Sequence, residues 1–321
     1  MSFGFMVSCS TEPTIDPKES FFDRLGTESI VKLQIESDLS ELIENRDQKM
    51  TQEATLSVEN SNGGFKAYPL KISLRGKTRR GLCEFPPLKL DLNKGFLEAE
   101  GLKDFDKYKL VTHCMDDSEL VLKEFLAYKL YNQLTEYSFR VRLVELTYID
   151  HGGEMETFEQ YGILLENYEE MTERFAAEKM PDQLPKNTRI PNEDYQRLAM
   201  FQYMIGNTDW NLFKQHNIKW LQLDDAAIPV PYDFDFSGFV NAPYAKPHPS
   251  LPIDSVRERY LQWRGSDQTQ LANMQDELRQ KQADLIQTCQ QFQALSDSEK
   301  AEILSYLNEF FSMEGPMVAA K

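Results

Sequence analysis

The 321-residue chain lacks the short motifs that identify several large enzyme classes. It has no HExxH, GxSxG or GxGxxG pattern and no GxxxxGK[ST] loop, which argues against zinc proteases, α/β-hydrolases, Rossmann enzymes and P-loop NTPases. Its four histidines show no ligand spacing. No segment approaches the roughly 18 consecutive apolar residues that a membrane span requires, so no transmembrane span is expected.

Basic residues are in deficit, and the net charge is −17. A chain-wide acidic field repels nucleic acids and anionic membrane surfaces, so neither is expected as a partner. An anionic ligand such as ATP would have to arrive with Mg²⁺ or meet a local basic patch.

Cysteine is scarce as well: the chain has four, and none forms a CxxC pair. One interpretation is four buried or inert thiols. The other is that Cys83 and Cys114 join two strands by a disulfide in an oxidising compartment.

The N-terminus is apolar up to Cys9 and polar after it, as at the end of a bacterial lipoprotein signal with Cys9 lipidated. Only eight residues precede Cys9 and none is basic, so a clipped or misassigned start, or a short disordered tail, is the alternative. Location in the cell envelope as a lipid-anchored protein and location in the cytoplasm both remain open.

Hydrophobic periodicity divides the chain into three regions. Residues 1–27 are polar and mixed beyond the apolar start, and are expected to be flexible. Residues 28–170 show alternating strand patterns interrupted by one helical pattern over 117–134, and residues 171–321 are mainly helical. The sequence therefore predicts an α+β protein with a β-rich N-terminal lobe, containing one long helix, and a helical C-terminal lobe.

A first candidate site lies in the segment 206–220. Asp209 is followed eight residues later by Asn217, which opens a predicted strand. Phosphoryl transfer needs a carboxylate to position the attacking hydroxyl and a hard oxygen ligand for Mg²⁺ nearby. This pair supplies both.

A second candidate site is the aromatic-rich segment 230–238, which contains Asp233 and Asp235. In an extended segment both carboxylates point to one side, where they repel unless a cation such as Mg²⁺ joins them. A polar turn or a helix cap is the alternative interpretation.

A third candidate is the basic segment 75–80, which lies between two predicted strands, has glycines at 76 and 81, and includes Arg75 and Lys77. It suits a hairpin tip that contacts phosphate, although a solvated tip has the same composition. Lys89 on the next strand could contact the α- and β-phosphates, or could simply be exposed. On the following helix, Glu124 is the predicted partner of Lys89.

The order of these motifs resembles that of the spore coat protein H family, whose members are atypical and kinase-like. The resemblance covers roughly residues 70–240, about half of the chain, and is most specific in the two acidic segments. It implies a two-lobed atypical protein-kinase-like fold that binds ATP and Mg²⁺ or Mn²⁺. It also implies site residues: Asp209 as the catalytic residue, Asn217, Asp233 and Asp235 at the metal, Arg75, Lys77 and Lys89 at the phosphates, and Leu164, Leu165 and Glu166 as the hinge against adenine.

The expected function is transfer of phosphate from ATP to a serine or threonine hydroxyl of an unidentified protein. Two alternatives stay open: a catalytically inactive pseudokinase or envelope-associated scaffold, and a purely structural envelope lipoprotein. The spacing from Asp209 to Asn217 is longer than in the family, which favours the inactive form.

Overall fold

The computed structural model describes residues 18–26, 30–76, 78–114, 118–181, 185, 188–263 and 268–314. The described strands are β1 (Val31–Ser37), β2 (Gln52–Glu59), β3 (Phe65–Leu74), β4 (Leu88–Leu92), β5 (Lys107–Val111), β6 (Val141–Asp150), β7 (Phe158–Leu165), β8 (Glu178–Lys179), β9 (Ile218–Leu223) and β10 (Ala226–Pro231). The described helices are α1 (Phe21–Arg24), α2 (Leu39–Glu44), α3 (Arg79–Leu82), α4 (Lys94–Ala99), α5 (Ser118–Leu134), α6 (Tyr168–Arg174), α7 (Asn192–Met204), α8 (Gln268–Gln280), α9 (Gln282–Gln291) and α10 (Asp297–Ser312).

Seven strands close into a barrel in the order β1-β2-β3-β4-β5-β7-β6. All neighbouring pairs are antiparallel except β1 and β6, which pair in parallel from Val31 opposite Val144 to Ser37 opposite Asp150. This parallel pair closes the barrel, so neither strand is an edge.

Alternation along the strands decides which side chains fill the barrel. In β4, Leu88, Leu90 and Leu92 are buried, while Lys89 and Asp91 between them are partly exposed. Successive strand side chains point to opposite faces, so the leucines enter the barrel core and Lys89 lies on its outer face. The short helix α1 contributes Phe21 and Phe22 to the same core.

The predicted two-lobed kinase-like fold is wrong, because the β-rich part is a closed barrel with a parallel closing pair. Alternation in the sequence predicted the strands but carries no information on whether the first strand meets the sixth. That pairing joins residues more than 100 positions apart and depends on the curvature of the whole sheet.

The helix α5 connects the barrel to the C-terminal helices. Eleven of its residues are buried, and all of these except Lys123 and Glu124 belong to the hydrophobic core formed with β7, α7, α9 and α10. Beside this core, β8, β9 and β10 form a second, three-stranded sheet. Within the described ranges, no helix is long and apolar enough to cross a membrane.

Candidate functional site

Asp209 lies in the loop that follows α7, and its backbone is held by a turn in which its N–H donates to Asn207 Oδ1 at 2.9 Å. The carboxylate has two neighbours: His216 Nε2 is 2.9 Å from Oδ1, and Asn217 Nδ2 donates to Oδ2 at 3.0 Å. The side chain is 39% exposed, so the carboxylate is oriented by two partners and still reaches solvent.

Asn217 is fixed in a definite amide orientation. Its Nδ2 also donates to the backbone oxygen of Asp209 at 2.8 Å, which leaves Oδ1 as the acceptor directed elsewhere. Its backbone is left-handed, with φ of 53°, a conformation that Asn and Asp adopt more readily than other non-glycine residues. Such conformations cost on the order of 1–3 kcal/mol and concentrate at functional sites.

Asp233 also has a left-handed backbone, with φ of 67°, and its N–H donates to Tyr128 Oη of α5 at 2.8 Å. The loop that contains Asp233 lies beside the loop that contains Asp209, because Tyr232 N–H donates to the backbone oxygen of Asn217 at 3.1 Å. Among the described residues, no ion pair or hydrogen bond holds the Asp233 carboxylate. The carboxylate is therefore available to a cation.

Asp235 lies in a buried ionic cluster. Its Oδ2 accepts from Arg79 Nε at 2.9 Å and from Tyr244 Oη at 3.1 Å. The second guanidinium contact runs from Arg79 Nη2 to Glu124 Oε2 at 2.7 Å. Burial raises the pKa of Glu124 to about 7 and that of Asp235 to about 6, while Arg79 opposes both shifts.

The predicted pairing of Lys89 with Glu124 is therefore wrong. Glu124 is fully buried and is held by Arg79, whereas Lys89 Nζ lies on the outer barrel face, 3.4 Å from Asp91. The basic segment was predicted as a hairpin tip, but its last two residues, Arg79 and Arg80, begin the short helix α3, from which the Arg79 side chain reaches Glu124 of α5. Lys77 and Cys9 lie outside the described residues.

Lys109 is a cleft cation that the sequence analysis did not identify. It lies opposite Lys89 on the neighbouring strand β5, and its Nζ is 4.0 Å from the centre of the Tyr232 ring. Burial lowers its pKa to about 7, and repulsion from Arg75 and Lys219 adds to this effect, while Asp233 opposes it. Its position on the strand directly before the long helix was the feature of the sequence that could have indicated this role.

Two adjacent cavities share Arg75 as a common wall. The smaller encloses about 170 Å³ and is lined by Asp209, Asn217, Asp233 and Arg79, among others. The larger encloses about 300 Å³, and its cationic lining comprises Arg75, Lys89, Lys107, Lys109, Lys179 and Lys219. An acidic compartment thus adjoins a cationic one.

The predicted hinge is only partly in the cleft. Glu166 lines the larger cavity. Leu164 is instead buried in the barrel core, and Leu165 is buried in the core around α5. Both carboxylate oxygens of Glu166 are occupied by Arg140 and Arg174, at 2.8 to 3.0 Å from the guanidinium groups. Glu166 therefore anchors the strand end rather than offering a free acceptor.

Cys83 and Cys114 form a disulfide. Cys83 follows α3 directly, and Cys114 follows β5 in the sequence, before α5. The disulfide therefore joins the segment that carries Arg79 to the segment between β5 and α5. The fourth cysteine, Cys289, is buried as a free thiol.

The donor set suits a hard divalent cation bound together with a phosphate ligand. Within the described part of the chain, no group of three His, Cys, Asp or Glu side chains is placed to hold a metal by itself. The Asn217 amide oxygen and the Asp233 carboxylate are nevertheless the ligand types that Mg²⁺ prefers, and Mg²⁺ commonly completes its shell with phosphate oxygens and water.

Compared with known proteins, the chain matches no family model and no curated protein.

Proposed function

We propose that the paired cavities bind ATP with Mg²⁺ or Mn²⁺ and that the protein transfers the terminal phosphoryl group to a serine or threonine hydroxyl of a protein. The observation that carries the proposal is the convergence of Asp209, Asn217 and Asp233 on one cavity that shares Arg75 with a cationic one. The same three residues carry the motif resemblance to the spore coat protein H family.

The cationic cavity is the proposed place of the nucleotide. Arg75, Lys109 and Lys219 have no acidic partner at ion-pair distance among the described residues, and Arg75 and Lys219 each repel Lys109. Polyphosphate relieves this repulsion, which is a physical reason for an otherwise acidic chain to bind it. Tyr168, which is partly exposed and lines this cavity, adds aromatic surface for a base.

In the proposed step, the acceptor oxygen bonds to the γ-phosphorus while the bond from that phosphorus to the bridging oxygen breaks, and ADP leaves. Asp209 accepts the hydroxyl proton. Asn217 and Asp233 would hold the divalent ion, which neutralises phosphate charge when bound. Asn217 also orients Asp209 through Nδ2.

One observation favours the alternative of a non-catalytic nucleotide-binding scaffold. Both carboxylate oxygens of Asp209 are already engaged, one beside His216 and the other by Asn217. A carboxylate held in this way is a weaker proton acceptor unless the ligand displaces one partner.

The testing experiment compares wild type, Asp209→Asn and Asp233→Ala. Thermal unfolding with ATP and Mg²⁺, each alone and together, should show a rise in Tm of several degrees that needs both ligands, because binding at 100 times Kd adds about 2.7 kcal/mol. Asp233→Ala should lose this rise. Asp209→Asn should keep it but lose about 10²-fold or more in phosphate transfer, measured by mass spectrometry of candidate acceptors.

Wild type that shows no rise with either metal overturns nucleotide binding. If wild type and Asp209→Asn both show the rise in Tm, but wild type transfers no phosphate, the result supports the non-catalytic scaffold. The disulfide supports an extracytoplasmic location for either function, because such bonds persist in oxidising compartments.

A further inference from the structure

Arg79 occupies the centre of the acidic side of the cleft. It is 6% exposed, and its Nε and Nη2 contact Asp235 and Glu124, which are 4% and 0% exposed. Asp233 also acts electrostatically on all three groups. A single guanidinium thus lies among three carboxylates, and it lines the same cavity as the proposed metal ligands.

The cluster is only partly satisfied by its own hydrogen bonds. Arg79 Nη1 and Glu124 Oε1 are both buried, and neither has a hydrogen-bond partner among the described residues. Buried polar atoms of charged groups are costly to leave unpaired, and such atoms call for a functional account. Arg79 lines the smaller cavity, whereas Glu124 lies behind it, so an ionic cluster with unpaired polar atoms adjoins the proposed metal site.

Charge decides how much cation the cluster can accept. Arg79 is one positive charge acting on three carboxylates, so it can compensate at most one of their three negative charges when all are ionised. Without Arg79 the three carboxylates would have no resident cation to oppose their mutual repulsion in a site of low dielectric. A second divalent ion would then be the obvious replacement.

We propose that Arg79 takes the place of a second divalent cation, so that the site binds one Mg²⁺ or Mn²⁺ per nucleotide. The statement about one ion per nucleotide rests on the proposed function; the statement that Arg79 excludes a cation from the carboxylate cluster does not. Arg79 is a positioning residue here, because its contacts are to Asp235, Glu124 and Tyr244 rather than to substrate.

The position of Arg79 is fixed from several sides, as a resident cation requires. Tyr244 Oη lies 3.1 Å from its Nε and also donates to Asp235. Four residues later, Cys83 anchors the same segment through its disulfide to Cys114. A mobile arginine could leave when metal arrives, whereas this one forms an ion pair with Glu124 of α5 and lies near a disulfide to Cys114, which precedes α5.

The test measures metal binding directly with Mn²⁺ as the probe. Wild type, Arg79→Met, Arg79→Lys and the double variant Arg79→Met/Asp235→Asn are stripped with chelator and titrated with Mn²⁺ alone, followed by electron paramagnetic resonance. Each is then dialysed against Mn²⁺ and a non-hydrolysable ATP analogue, and the ratio of bound Mn²⁺ to bound nucleotide is counted.

Arg79→Met is expected to bind Mn²⁺ alone at least about tenfold more tightly than wild type, because three carboxylates are then uncompensated. Arg79→Lys keeps the positive charge and should resemble wild type, and the double variant should lose the gain. With nucleotide, wild type should retain one Mn²⁺ and Arg79→Met two.

If wild type binds two Mn²⁺ ions per nucleotide, the proposal is overturned. This measurement needs no variant, so the test remains possible even if Arg79→Met does not fold. Equal Mn²⁺ affinity in folded Arg79→Met and wild type also overturns it. If wild type retains no nucleotide but Arg79→Met still gains Mn²⁺, the proposed function fails while exclusion of a cation by Arg79 stands.

Discussion

At the scale of single residues, two lysines on the outer barrel face differ sharply in their surroundings. Lys89 and Lys109 lie opposite each other on β4 and β5. Lys89 has Asp91 as a partner and is 42% exposed, whereas Lys109 lies beside the cations Arg75 and Lys219. A lysine without a carboxylate partner gains most from a bound anion.

The matched variants Lys109→Met and Lys89→Met test this difference. Lys109→Met should weaken ATP binding by about tenfold or more, since a hydrogen bond to a charged group contributes about 1.5–3 kcal/mol. Lys89→Met should change it less than threefold. Isothermal titration of both variants checks the prediction, and a larger loss in Lys89→Met would return the phosphate role to that residue.

The pH dependence of nucleotide affinity should also report Lys109. Its pKa is lowered to about 7, because burial and neighbouring cations disfavour the ammonium. Phosphate favours the protonated form, so the affinity that Lys109 provides is full below pH 7 and falls as pH rises above it, by at most about tenfold per unit.

Glu124 and Asp235 titrate over a similar range, with pKa values of about 7 and about 6. Their ionisation strengthens cation binding as pH rises, which is the opposite sign. Lys109→Arg keeps its charge throughout, so the difference between its pH profile and that of wild type isolates Lys109. Parallel profiles from pH 6 to 8 would contradict the prediction.

At the scale of elements, both acidic loops are anchored to the C-terminal helix α10. Gly206, at the end of α7, and Gly238, after the Asp235 loop, both face Tyr306 of α10. Gly238 N donates to the Gly206 oxygen at 3.2 Å, so the two loops approach each other through glycines. The close approach leaves no room for a Cβ at either position.

Gly206→Ala should therefore be strongly destabilising. The new Cβ would overlap Tyr306 Oη and lie 3.1 Å from the Val256 oxygen, and φ of 65° is already unfavourable for alanine. We expect a loss of about 2–4 kcal/mol, combining left-handed strain with overpacking.

Denaturant unfolding checks this value, with Gly26→Ala as the matched control. Gly26 has a similar φ of 74°, but nothing lies within 4 Å of its Cβ position, so only the strain of about 1–2 kcal/mol remains. Adding Tyr306→Phe to Gly206→Ala should recover part of the loss. Equal losses at Gly206 and Gly26 would show that Tyr306 does not press on the loop.

At the scale of the whole molecule, barrel closure makes β1 an interior strand. Its residues pair with β2 on one side and with β6 on the other. Amides of a strand with two partners exchange slowly, whereas an edge strand leaves alternate amides exposed to solvent.

Hydrogen exchange followed by mass spectrometry should therefore protect residues 31–37 as strongly as β3, a strand with two antiparallel partners. β8 offers a control, since its described pairing is to β9 alone and should exchange faster. Exchange of residues 31–37 at the rate of β8 would show that the barrel is open in solution.

The sequence by itself determined the local elements and the acidic loops. Alternating patterns predicted strands such as β1, β3 and β4, and the apolar spacing over 117–134 predicted the long helix, because both follow from side-chain periodicity. Asp209, Asn217 and Asp233 were also identifiable, because few other residue types suit phosphate and metal chemistry at close spacing.

Only the tertiary structure decided how the barrel closes and which cations enter the cleft. The β1–β6 pairing, the contact of Arg79 with Glu124 and the position of Lys109 all join residues distant in sequence. The lysines at 89 and 109 have similar strand patterns around them, so periodicity cannot rank them. Their difference arises from neighbours such as Asp91, Arg75 and Lys219, which only the folded chain brings together.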